Sequence, residues 1–194
     1  MKIPTKRIAL EYLEDAYKNN PGNWKQHSLM VAECAKSIAE LCGLDSEVAY
    51  IMGILHDIGR REGVTEMRHI YDGYKFLQSK GYTDVARICL THSFPVKILK
   101  SYSGKIDCTD AEIKFIDNYL ESICYNEYDK LIQLCDAIGA YDGVCCIEKR
   151  LIDVAIRNGV NEYSIEKWKS FLKLKNYFDK KCYTNIYSLF KIKL

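Results

Sequence analysis

The chain has 194 residues, of which 48% are hydrophobic, enough for one compact domain with a sizeable core. Basic and acidic residues nearly cancel, 28 against 26, so no global field selects nucleic acid and any preference for anions has to be local. Nine cysteines without a CxxC pair read as reduced thiols, the early charges from Lys2 to Asp15 leave no secretory apolar segment, and no later apolar run approaches membrane-spanning length, so the expectation is a cytoplasmic, soluble protein without a membrane partner.

Apolar spacing of three and four dominates, with no sustained two-residue alternation, and the chain reads as all-α. A first helix is expected over about 5–18, stopped by Asn19-Asn20-Pro21-Gly22-Asn23, and a second over about 24–41, closed by Gly43. A third starts from Asp45 or Ser46 as N-cap and runs to about 58, with Gly59 as its stop. Further helices are expected at about 66–79, 83–92, 109–122, 126–140, 144–158 and 164–192. Cys145 and Cys146 fall inside one of these patterns and read as packing residues, and the lysine-rich segment after 164 reads as a docked amphipathic helix. No repeat or composition shift divides the chain, so 1–194 reads as a single domain.

The four histidines each lie in the apolar stripe of a helix. The second helix has His27, Val31, Cys34, Ile38 and Leu41 on one face, and the third has Val48, Met52, Leu55 and His56, followed by Asp57. If these two helices pack antiparallel, His27 lies roughly 24 Å before the intervening turn and His56 about 17 Å after it, which brings both rings to one end of the pair. His69 and His92 sit on similar faces of later helices, and Asp136 shares a face with Ile132 and Cys135. An ionised carboxylate facing a core costs several kcal/mol unless it is paired or bound to a cation. No lysine or arginine lies one turn from Asp136 in its own helix. Four imidazoles and two carboxylates form a mixed nitrogen and oxygen ligand set suited to iron, manganese, cobalt, nickel or zinc and poor for calcium, and the set is large enough for two ions.

In this order, His27, the adjacent pair His56-Asp57 and the distant Asp136 resemble the HD superfamily of metal-dependent phosphohydrolases, and His56-Asp57-Ile58-Gly59 looks like its HDIG variant. The resemblance covers an HD core of about 24–142, leaving 143–194 as a C-terminal helical extension of the bundle. His69 and His92 match the extra histidines of subfamilies that hold two metals, with Asp57 as the bridge. In order, length and helical build the chain is similar to the small bacterial HD hydrolases that cleave diadenosine tetraphosphate symmetrically. It departs from related patterns in having Arg60 where lysine is usual and Ser93-Phe94-Pro95 after His92, and it lacks the glycine-tyrosine-proline signature of cyclic-dinucleotide phosphodiesterases.

What the resemblance implies is a hydrolase with two divalent transition metals, with magnesium as an alternative. His27, His56, Asp57 and Asp136 would hold one ion, and Asp57, His69 and His92 the other. Water activated by the metals would attack the phosphorus of a nucleotide or other phosphate ester or anhydride, with Asp57 able to accept its proton. Arg60 and Arg61 are placed for phosphate oxygens, Arg60 also in a catalytic role, and Lys97, Lys100 and Lys105 lie where they can line the same mouth. Two other readings stay open: a metal- or nucleotide-binding regulatory domain without turnover, and an HD-type di-iron oxygenase. Whether the chain acts as a monomer or a homodimer is also open.

Overall fold

Thr5 begins the helical part of the chain, its hydroxyl accepting the Ile8 amide at 3.3 Å, so that α1 runs Lys6–Asn19. This is a computed structural model, and it describes residues 1–193. Helix α2 (Trp24–Cys42) ends where Gly43 turns left-handed at φ 74°. Asp45 then caps α3 (Ser46–Leu55), accepting the Glu47 and Val48 amides at 3.0 Å each. Every residue of α3 from Val48 to Leu55 is buried, so this short apolar helix is the axis on which α1, α2, α5 and α7 pack. Leu41, the last member of the α2 stripe, is exposed.

Helices α4 (Arg68–Ser79) and α5 (Thr83–Thr91) pack on one another. Helix α6 (Asp110–Ser122) starts from a capping box between Thr109 and Glu112, and its Ile116 and Leu120 join Met67, Ile70, Leu90 and Phe94 in a second apolar cluster. Helix α7 (Glu127–Ile138) starts from a second capping box, between Asn126 and Asp129. Asp129 is fully buried, and Arg87 of α5 donates to both of its oxygens, from Nε at 3.0 Å, which ties α5 to the start of α7.

The fold is all-α with one small addition. Beyond α7 the strands β1 (Gly139–Ala140) and β2 (Gly143–Cys145) pair antiparallel, and β3 (Ile192–Lys193) joins β2 in parallel with Val144 opposite Ile192. Helices α8 (Ile147–Asn158) and α9 (Ser164–Lys181) lie between β2 and β3. Three expectations need correction here. The seventh helix stops at Ile138 and the eighth starts at Ile147, because the intervening residues turn back as a hairpin; Cys145 is in a strand and Cys146 caps α8. The last helix ends at Lys181, where Tyr183 takes a left-handed φ of 54°, and a 3₁₀ turn (Ile186–Leu189) and β3 follow. Helix α3 ends at Leu55, and Gly59 does not stop it: Gly59 lies within a 3₁₀ turn (Ile58–Glu62) that closes at Gly63.

Gly59 is instead a point of close approach. A Cβ there would fall 1.9 Å from the His69 carbonyl oxygen and 2.4 Å from the Gly73 amide nitrogen, so α4 packs directly on the backbone of the 3₁₀ turn. Gly59→Ala should therefore cost about 3 kcal/mol by overpacking. In circular-dichroism melts this corresponds to a fall in Tm of about 8 °C; an unchanged melt would contradict this contact.

Glu127 links α7 to α9, accepting from Tyr177 at 2.6 Å, from Lys130 at 2.9 Å and from Lys181. Partial burial opposes its ionisation, but the hydrogen bonds from Lys181, Tyr177 and Lys130 prevail and hold it down to about 2, against an ordinary 4.5. A depressed carboxyl stabilises the fold above its unfolded pKa and ceases to do so as pH falls through the folded one. Thermal stability should thus fall between about pH 4.5 and about pH 2, and Glu127→Gln should flatten that part of the profile; an identical acid limb in the variant would remove Glu127 from the explanation.

Candidate metal centre

His56 follows the last residue of α3, and its ring folds back so that Nδ1 lies 2.7 Å from the Gly53 carbonyl. His92 does the same at the end of α5, with Nδ1 2.9 Å from the Cys89 carbonyl and 3.2 Å from that of Ile88. Helix C-termini leave carbonyls without intrahelical donors, so a histidine there finds its partner locally. His69 Nδ1 meets the Glu66 carbonyl just before α4, and His27 Nδ1 meets the Gly139 carbonyl of β1 at 2.7 Å. A carbonyl only accepts, so all four rings carry their proton on Nδ1 and point Nε2 into the site.

The four Nε2 atoms converge. His27 and His56 face each other at 3.2 Å, and His69 and His92 at 3.5 Å. Asp136 Oδ1 is 2.9 Å from His27 Nε2 and 3.8 Å from His56 Nε2. Asp57 lies between the two pairs, with Oδ1 3.0 Å from His69 Nε2 and 3.5 Å from His92 Nε2, and Oδ2 4.0 Å from His56 Nε2. His56, Asp57, His69 and His92 are buried, while Asp136 and His27 stand half-buried at the edge of the group. The antiparallel packing of α2 and α3 thus brings their histidines together at one end, as their apolar stripes predict.

The charge state of this cluster follows from burial against proximity. Burial works against ionisation of Asp57, but Arg60, His69 and His56 outweigh it and hold the carboxyl well below the usual carboxylate range. Asp136 is held low in the same way, chiefly by His27, whose Nε2 lies 2.9 Å from its Oδ1. Burial depresses His56 to about 4 and lowers His69. It would lower His92 too, but the hydrogen bond and charge of Asp57 outweigh it and raise that ring above its ordinary value.

This donor set fits divalent metal. In their neutral forms these imidazoles, with Nδ1 protons committed to carbonyls, present only lone pairs to one another, and lone pairs 3.2 Å apart repel unless a proton or metal ion lies between them. Two triads each bring their ligand atoms within 4.8 Å of one another: His27, His56 and Asp57, and Asp57, His69 and His92. They share Asp57, with Asp136 beside the first.

The cluster opens on a cavity of about 470 Å³. Arg60 lines it, with Nε 2.6 Å from Asp57 Oδ2. The other basic residues expected at the mouth point elsewhere. Arg61 lays its guanidinium 4.0 Å over the Phe76 ring and pairs with Glu62, and Lys97 lies over Tyr125 and donates to the Ile123 carbonyl. Neither they nor Lys100 and Lys105 are among the lining residues. The cations that do line it beyond Arg60 are Arg150 and Arg157 of α8 and Lys167 of α9, with Trp24, Tyr102, Tyr141 and Trp168 as aromatic walls. Arg150, Val154 and Arg157 are four and three residues apart and so share a helix face, a signal the sequence contains. Lys167 is one lysine among many in α9, and no local pattern separates it.

No curated protein matches the chain. Among solved structures, it is similar to the HD domain of the phosphodiesterase PgpH from L. monocytogenes, with 15% identity, a TM-score of 0.45 and coverage of 86% of this chain and 98% of that one. The complex of that domain with cyclic-di-AMP gives the same identity and TM-score, covering 86% of this chain and 96% of that one. The family model described as HD domain matches residues 24–141, more than half of the chain and a span that contains all six clustered histidines and aspartates. The chain belongs to the HD domain family.

Proposed function

We propose that this protein is a metal-dependent phosphohydrolase whose substrate is a nucleotide or a related phosphate ester or anhydride, such as a dinucleoside polyphosphate. The observation that carries this reading is the pair of ligand triads sharing Asp57 beneath a cavity lined by arginines, a lysine and aromatic rings. His27, His56, Asp57 and Asp136 would hold one ion, and Asp57, His69 and His92 a second. Bound there, divalent ions would supply Lewis-acid polarisation of a phosphoryl oxygen and lower the pKa of bound water toward neutrality.

The chain's own residues do the rest. The backbone carbonyls of Gly53, Glu66, Cys89 and Gly139 fix the ring orientations, so the ligand atoms need no reorganisation. Arg60 holds Asp57 Oδ2 and presents guanidinium N–H groups to the cavity, where a substrate phosphate would meet them. Trp24, Tyr102, Tyr141 and Trp168 offer faces on which a base can stack.

Purified without chelator, the protein should contain a transition metal and release phosphate or nucleotide from a panel of dinucleoside polyphosphates, nucleotides and phosphomonoesters. Asp57→Asn should lose metal and lower kcat/KM by at least about 10³-fold, the loss of several kcal/mol of transition-state stabilisation. A fully metallated, active Asp57→Asn would sink the proposal, and oxygen consumption without phosphate release would redirect it to oxidation.

Metal uptake should also weaken as pH falls. A proton on His92, whose basicity Asp57 raises, competes with the ion for the same nitrogen, so titration of metal-free protein should show proton release on binding. Pocket cations should matter less to metal than to turnover: Arg60→Met should lower kcat/KM by about 10²-fold, the scale of one charge-assisted contact, and retain at least one ion.

A further inference from the structure

Lys167 projects from α9 into the cavity wall and is only 7% exposed. Its ammonium donates to the Ser101 carbonyl at 3.1 Å and the Ser103 hydroxyl at 3.3 Å, both neutral oxygens. Among the described residues no salt bridge engages it; the carboxylate whose charge reaches it is that of Asp136, a metal-centre residue. Burial pushes its ammonium down to about 8, with Asp136 opposing. A buried ammonium has three donors and a net charge. Two donors are used here, on neutral groups, and the Tyr102 ring 6.0 Å away offers only a weak cation–π contact, so no opposite formal charge pairs with it.

The same wall holds two more cations. Arg150 and Arg157 line the cavity from one face of α8, with Val154 between them. These three residues lie outside 24–141, whereas the metal-centre side chains and Arg60 lie within it. Metal ions held at the floor, where Asp57 and the histidines converge, would attract one anion, and the cations of the wall built from α8 and α9 attract another. Its volume of about 470 Å³ is that of a site for a drug-sized ligand, far more than one phosphate fills.

We infer that Lys167, Arg150 and Arg157 form a second anion subsite, so that the substrate is a phosphate chain or carries a second anionic group besides the one hydrolysed at the metal floor. This rests on the phosphohydrolase reading above. Lys167 contacts that second group directly, and the segment after the family match sets specificity by length of phosphate chain rather than by chemistry at the reacting phosphorus.

The test compares kcat/KM for diadenosine tetraphosphate and ATP with that for p-nitrophenyl phosphate, in metal-loaded wild type, Lys167→Met and Arg157→Gln. The expected result is that preference for the polyphosphates over the monoester falls at least tenfold in Lys167→Met and in the same direction in Arg157→Gln, with metal content unchanged. Equal losses on all substrates, or an unchanged ratio, would overturn the subsite. Should Lys167→Met not fold, Arg157→Gln decides alone by the same ratio. If the wild type hydrolyses none of these compounds, the phosphohydrolase reading fails, and the subsite is judged by stabilisation with inorganic tripolyphosphate. A thermal shift that wild type shows and Arg157→Gln loses upholds the subsite, and one absent from wild type or retained in the variant ends it.

Discussion

Asp57 is a carboxylate with 3% of its surface exposed, set between two histidine pairs and against a guanidinium. A buried charge of this kind is tolerated only where neighbouring cations and donors compensate its lost hydration. Arg60 does so from the 3₁₀ turn that follows α3, and His69 of α4 and His92 at the end of α5 face it from the other side. The arrangement also explains the local backbone. The chain leaves α3 at Leu55, just before His56-Asp57, and the tight turn through Gly59 lets α4 approach until His69 faces Asp57.

The histidines are oriented by economical means. Three of the four rings use a carbonyl three or four residues earlier in the chain, and two of those carbonyls lie in the last turn of a helix, where no amide competes for them. His27 differs, because its carbonyl belongs to Gly139, across the molecule in β1. The short hairpin after α7 therefore has a part in the centre: it terminates the helix that carries Asp136 and at the same point fixes the ring that Asp136 contacts.

The cavity joins two parts of the chain with different roles. The stretch matched to the HD domain supplies every clustered histidine and aspartate, and α8 and α9 supply one wall with its cations and Trp168. Strand β3 pairs with β2 beyond those helices, so Ile192–Lys193 is hydrogen-bonded to the segment that follows α7 and the Gly139 carbonyl.

Much of this was legible in the sequence. The helix starts at Thr5, Asp45, Thr109 and Asn126 follow from side chains that cap their own next turn, and the stripes that end in His27 and His56 follow from the 3.6-residue repeat. These are interactions within one element, and sequence spacing encodes them directly. The early end of α3, the hairpin through Cys145, the turn of Arg61 onto Phe76 and the burial of Lys167 were not legible. Each depends on what packs against the residue from a distant part of the chain: α4 on Gly59, β3 on β2, the Phe76 ring beneath Arg61, and the 101–103 turn around the Lys167 ammonium. By itself the sequence determined the helices and the chemistry available on their faces, because both are set by near neighbours. Which cations face the cavity was decided only in the tertiary structure, because burial belongs to the pair of surfaces that meet and not to either one.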